Sequence, residues 1–130
     1  MTGDDVLVID DEPVVRDAVR RVLGANGLGV ATAGDGAAGL AHPALATCRL
    51  VLCDLMLPDR SGMDVLQDIR QRRPGLPVVV ITGYATPDHA ARAAEAGAAD
   101  FLAKPFEAKE LVDMVRRALT STDVRGERRA

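Results

Sequence analysis

The stretch Leu50-Val51-Leu52-Cys53-Asp54-Leu55-Met56-Leu57-Pro58-Asp59-Arg60-Ser61-Gly62-Met63 decides how this chain is read. Its first four residues are an unbroken apolar run, the pattern of a strand buried on both faces. The run ends in one carboxylate, Asp54, and Pro58 and Gly62 then break the regularity. A carboxylate delivered by a buried strand costs free energy unless something uses or neutralises it.

Working outward, the same pattern recurs. Val6 to Ile9 is a β-branched apolar run that ends in Asp10-Asp11-Glu12. Pro13 suits the first turn of a helix, where its missing N–H is not needed. Val14, Val15, Ala18, Val19, Val22 and Leu23 follow at helical spacing, and Asn26-Gly27 stops them. Leu28 to Ala33 reads as a second strand, and Ala37 to Ala41 as a short helix perturbed by Pro43. After the third strand, Leu50 to Asp54, a loop runs to Ser61 and a helix to about Arg73. Val78 to Ile81 is the clearest strand, four β-branched residues ending in Thr82-Gly83. An alanine-rich helix spans Pro87 to Ala96; it buries little area and should dock weakly. Asp100 to Ala103 is a fifth strand, followed by Lys104-Pro105-Phe106. The last helix starts near Glu107, with Leu111, Met114, Val115, Ala118 and Leu119 on one face.

Five alternations of strand and helix predict an α/β fold, a doubly wound parallel five-stranded sheet with helices on both faces. The expected form is the flavodoxin-like (βα)5 arrangement with strand order 2-1-3-4-5. Residues 1–120 read as one domain and 121–130 as a polar tail or the start of a linker.

Composition narrows the function. The 130 residues are 48% hydrophobic, so the chain has a core to bury. A net charge of −3 and a single Tyr, two Phe and no Trp argue against direct nucleic-acid contact. No apolar run approaches the roughly 20 residues that cross a bilayer. No secretory signal is visible, and the expected location is cytoplasmic. Cys48 and Cys53 fit no zinc or redox spacing and read as buried thiols.

In a parallel sheet the C-terminal ends of all strands share one edge, where ligands bind. Asp10 and Asp11 follow the first strand, Asp54 the third, Thr82 the fourth and Lys104 the fifth. With the first and third strands adjacent, three carboxylates meet and repel. A hard divalent cation resolves that repulsion. Mg²⁺ (or Mn²⁺) takes oxygen ligands and leaves room for a phosphoryl group. Lys104 can neutralise one phosphoryl oxygen and Thr82 can hydrogen-bond another. Asp54 then reads as a nucleophile that forms an acyl phosphate.

Four motifs carry a resemblance: Ile9-Asp10-Asp11-Glu12, Cys53-Asp54-Leu55-Met56-Leu57-Pro58, Ile81-Thr82-Gly83-Tyr84 and Phe101-Leu102-Ala103-Lys104-Pro105-Phe106. In this order, at these strand ends, the chain resembles the receiver domain of a two-component response regulator from Asp5 to about Leu119. The Thr82 to Thr86 run and Phe106 look most like the nitrogen-regulation and nitrogen-fixation groups. The resemblance implies a phosphorylation-dependent signalling switch rather than an enzyme of other substrates. Asp54 would accept a phosphoryl group from the phosphohistidine of a sensor histidine kinase or phosphotransfer protein. Asp11 would bind Mg²⁺ directly, Asp10 largely through water, and Met56 through its backbone carbonyl. Lys104 would pair with the phosphoryl group, across a cis Lys104-Pro105 peptide. Thr82 would move toward it and Phe101 would swing inward, changing the surface of the fourth helix, fifth strand and fifth helix. That surface would alter partner binding or an attached output domain, with transcription regulation as the family's common output. A homodimer on phosphorylation is a family option, weakened here by the alanine-rich helix. Phe101 lacks the hydroxyl that many relatives carry as Tyr.

Other readings fare worse. A phosphatase with an aspartyl intermediate usually needs a second acid at Asp-x-Asp spacing, and position 56 is Met. A flavin binder would need a phosphate-cradling loop and flanking aromatics that are absent from the sequence. A phosphorylation-independent scaffold would gain only if an acid or Lys104 were missing. Met56 and Tyr84 offer no acid or amide to orient a hydrolytic water, which predicts a long-lived acyl phosphate. His42 and His89 read as plain surface residues, and Asp59, Asp64 and Asp68 as loop and surface acids.

Overall fold

The computed structural model describes residues 4–129, with side chains as far as Thr120. Its elements are β1 (Val6–Ile9), α1 (Pro13–Gly24), β2 (Val30–Ala33), α2 (Gly36–Ala41), a 3₁₀ turn (Pro43–Ala46), β3 (Leu50–Asp54), α3 (Gly62–Arg72), β4 (Val78–Thr82), α4 (Pro87–Glu95), β5 (Asp100–Ala103) and α5 (Ala108–Arg129). The five strands form one parallel sheet in the order β2-β1-β3-β4-β5, as the sequence predicts.

Strand alternation sorts the core into two layers. Leu7, Ile9, Val51, Cys53, Val78 and Val80 face α2, α3 and α4. Val6, Val8, Leu50, Leu52, Val79 and Ile81 face α1 and α5. Both sets are buried, which is why β3 reads as a continuous apolar run instead of an alternating one. Burying each such side chain is worth about 1.5–3 kcal/mol.

Helix starts follow local chemistry. The side chains of Asp35, Ser61 and Thr86 accept from the N–H groups of Ala38, Met63 and His89, capping α2, α3 and α4. Glu12 precedes α1 without a side-chain cap, and Pro13 sits at the first position. Asn26 Nδ2 donates to the Val22 carbonyl at 2.8 Å, and Gly27 turns the chain at φ 85°.

Three expectations shift. The second strand begins at Val30 rather than Leu28, because the Leu28 N–H still bonds the Leu23 carbonyl of the α1 turn. Gly29 is held by Asp5 from both sides: its carbonyl takes the Asp5 N–H and its N–H donates to Asp5 Oδ2. Pro43 does more than end α2: it opens a 3₁₀ turn whose Ala44 N–H donates to His42 Nδ1 at 3.0 Å. The backbone of α5 continues as helix to Arg129, through the polar stretch read as a tail.

Candidate functional site

The sheet register brings the acids together. Ile9 lies opposite Cys53, so Asp10 and Asp54 leave adjacent strands at the same level. By alternation both continue the rows that face α1 and α5, and Lys104 continues the row of Leu102 on that side. One oxygen from each of Asp10, Asp11, Glu12 and Asp54 lies within 4.8 Å of the others. Lys104 Nζ reaches Asp54 Oδ2 at 2.9 Å, Glu12 Oε1 at 2.6 Å and Asp10 Oδ2 at 2.8 Å. Asp10 and Asp54 are buried, Asp11 and Glu12 exposed.

Backbone groups fix the two buried carboxylates. Asp54 Oδ1 accepts from the Met56 N–H at 3.0 Å. Asp10 Oδ1 accepts from the Glu12 N–H at 2.9 Å, and Arg16 donates to the Asp10 carbonyl at 2.7 Å. Asp10 Oδ2 differs. It is fully enclosed and meets the Lys104 ammonium at 2.8 Å as an ion pair, without a hydrogen bond. Burial, with the nearby Asp54 charge adding to it, raises the Asp10 pKa above its ordinary value. Burial also works against the Lys104 charge, but the carboxylates of Asp10, Glu12 and Asp54 around it outweigh that and raise the lysine pKa. Lys104 is thus a fixed cation at neutral pH. An enclosed carboxylate oxygen without a hydrogen bond, among exposed acids with oxygen donors, fits a hard divalent cation.

Gly62 permits this packing. A Cβ there would collide with the Asp54 carbonyl oxygen, so α3 can start this close to the third strand only without a side chain. The Gly62 N–H donates to the Leu55 carbonyl at 2.7 Å. The Lys104-Pro105 peptide is cis, as expected.

Thr82 and Phe101 stand apart from the charges. Thr82 follows Val78 and Val80 in the row that faces α4, and Phe101 packs against that same core. Thr82 is fully buried, and its Oγ1 accepts from the Tyr84 N–H at 3.0 Å. A cleft of about 960 Å³ is lined by Asp54 and Lys104 together with Val14, Met56, Tyr84 and Phe106. Cys48 and Cys53 are free and buried, and burial raises both thiol pKa values.

Three contributors were not legible in advance. Glu12 is given no role by the sequence beyond its place in the Asp10-Asp11-Glu12 run, yet it is the closest of the three partners of Lys104. Asp59 reads as a loop acid, yet it accepts from the Gly36 and Ala37 N–H groups at 2.8 Å each. Those bonds, the Gly36 one first, lower its pKa and join the loop after Asp54 to α2. His89 Nδ1 lies 2.6 Å from the Tyr84 carbonyl. No periodicity announces either of the last two contacts.

Residues 6–116 match the family model of the response regulator receiver domain. The chain is 40% identical over 119 residues to the probable transcriptional regulatory protein TcrX of Mycobacterium tuberculosis, covering 92% of this chain and 51% of that one. It is 37% identical over 115 residues to the DNA-binding transcriptional regulator NtrC of Escherichia coli, covering 88% and 24%. The chain thus spans about half of one relative and a quarter of the other. The crystal structure of the receiver domain of NtrX from Brucella abortus superposes with a TM-score of 0.83 at 38% identity, covering 89% of this chain and 98% of that one.

Proposed function

This chain belongs to the response regulator receiver domain family, and on that premise we propose that Asp54 is its phosphoacceptor. The observation that carries the reading is the setting of Asp54. It is a buried carboxylate at the end of the central strand, with a fixed ammonium 2.9 Å from Oδ2 and three further acids around it.

In the proposed reaction an Asp54 oxygen attacks the phosphorus of a phosphohistidine. The P–N bond breaks, and its electron pair stays on the donor imidazole. Lys104 exchanges its bond with Asp54 for one with a phosphoryl oxygen. Receiver domains bind Mg²⁺ at an acidic pocket, and here Asp10, Asp11, Asp54 and the Met56 carbonyl would hold it, with Glu12 beside them. When bound, the ion would supply positive charge against the phosphoryl oxygens. Thr82 then gives up the Tyr84 N–H and turns to the phosphoryl group. Phe101, on the same face of the sheet, occupies the space released, which changes the α4-β5-α5 surface. The chain transforms only itself: it takes the phosphoryl group and slowly hydrolyses it.

The phosphohistidine is supplied by a partner, a sensor histidine kinase or phosphotransfer protein. Val14, Met56 and Tyr84 support docking at the cleft. They are 79%, 54% and 60% exposed, and all three line the cleft above Asp54. Exposed apolar side chains gathered at one site mark an interaction surface. We read residues 1–120 as the receiver and 121–130 as a tail or the start of a linker, with transcription regulation as the output, through an attached output domain or a downstream protein. No described helix is long and apolar enough to cross a membrane; a cytoplasmic location is part of the proposal.

The test is intact mass after incubation with phosphoramidate or acetyl phosphate. Wild type should gain one phosphoryl group with Mg²⁺ and none with EDTA, and Asp54→Asn should gain none. An adduct that persists in Asp54→Asn would sink the assignment.

A further inference from the structure

A short chain of hydrogen bonds runs from Thr82 to a histidine outside the acidic site. The Tyr84 N–H donates to Thr82 Oγ1 at 3.0 Å. The Tyr84 carbonyl accepts from the Thr86 N–H at 3.0 Å and lies 2.6 Å from His89 Nδ1. A carbonyl only accepts, so the imidazole carries a proton on Nδ1. The His89 N–H in turn donates to Thr86 Oγ1 at 3.1 Å, which caps α4 and fixes the residue that carries the ring. Both lone pairs of the Tyr84 carbonyl are therefore used. The peptide before Tyr84 points its N–H at Thr82, and the peptide after it is tied to the first turn of α4.

This arrangement bears directly on Thr82. The Tyr84 N–H holds Thr82 Oγ1 on the row that faces α4, whereas Asp54 continues the row that faces α1 and α5, so reaching a phosphoryl group on Asp54 turns the Thr82 side chain away from that contact. The Tyr84 N–H then loses its acceptor unless the Tyr84 backbone turns as well, and His89 opposes that turn. Core packing restrains α4 little, since Ala93 is its one buried residue. A single side-chain contact therefore carries weight here that it would lack on a helix with a large buried face.

We propose that His89 is a positioning residue, a latch that acts through the Tyr84 backbone to hold the Thr82 hydroxyl away from Asp54. It sets how readily the chain passes into the phosphorylated conformation. The inference rests on the reading of Asp54 given above. His89 touches neither the acids nor Lys104, so its influence is on the conformational step and not on cation binding.

Three variants separate a latch from a helix cap. His89→Ala removes the donor. His89→Asn places Nδ2 where Nδ1 stood and restores it. His89→Gln sets its donor one bond further out and does not. The measurements are the initial rate of phosphorylation by phosphoramidate with Mg²⁺, the Mg²⁺ Kd and the Tm. His89→Ala and His89→Gln should react roughly 2–10-fold faster than wild type, the scale of one net hydrogen bond. His89→Asn should match wild type, and the Mg²⁺ Kd should not move. Rates in His89→Ala at or below wild type overturn the latch. So does an equal change in His89→Ala and His89→Asn, which would assign the residue to helix stability alone. If wild type itself takes no phosphoryl group, the reading of Asp54 fails and the latch with it. If wild type reacts and all variants match it, the latch alone fails.

Discussion

The two helices that flank β5 are held in opposite ways. α5 buries Leu111, Met114, Val115 and Ala118 against the sheet. α4 buries only Ala93. At about 1.5–3 kcal/mol per large buried side chain, the first helix is anchored by its core and the second is not. What holds α4 is polar and local: the Thr86 cap, the His89 contact to Tyr84 and an Arg70 bond to the Gly97 carbonyl at 3.3 Å. The difference shows how one sheet edge serves two needs. The acids leave β1 and β3, strands buried at every position. The parts that must move border the helix with least to lose.

The comparison can be broken at several points. Leu111→Ala should cost about 2–5 kcal/mol of unfolding free energy, read by urea denaturation, because it opens a cavity under the anchored helix. A loss under 1 kcal/mol would mean that α5 is no better seated than α4. Gly62→Ala should follow at about 1–3 kcal/mol, since its methyl group strikes the Asp54 carbonyl, and it should slow phosphorylation as well. Ala93→Gly should cost only about 1 kcal/mol, mostly helix propensity. Hydrogen exchange should speed up across α4 while the α5 amides stay protected. Uniform change across both helices would remove the distinction.

The smallest effect is a pH slope. Burial raises the folded-state pKa of Asp10 above its ordinary 3.8. The folded chain therefore binds this proton more tightly than the unfolded chain. The associated stability is fully present below the ordinary value and is lost as pH rises through the raised one. Asp10→Asn should flatten that part of the stability profile without added Mg²⁺, while weakening Mg²⁺ binding. A steeper slope in the variant would reverse the assignment.

Much of this was legible in the residues. β3 and β5 have the boundaries that the apolar runs suggest, and the strand order follows from alternation with helices. Such features rest on periodicity, which is local. The acids and Lys104 could be placed because strand ends share an edge. Asp59, His42 and His89 could not, because each acts by reaching a backbone group across a turn or from another loop. Those contacts depend on where loops meet, and spacing does not encode it. The start of β2 was overrun for a related reason: Leu28 is apolar, but its N–H belongs to the turn that ends α1.

The two-layer alternation of the strands has a consequence for how this sequence tolerates change. Asp10 and Asp54 share one parity with the residues facing α1 and α5, whereas Thr82 and Phe101 share the other. Parity behaves like a reading frame. Losing a single residue inside β3 would exchange the two core layers beyond that point and deliver the Asp54 carboxylate to the wrong side of the sheet. Such a deletion would do more harm than many substitutions of larger volume, because side chains can repack and parity cannot.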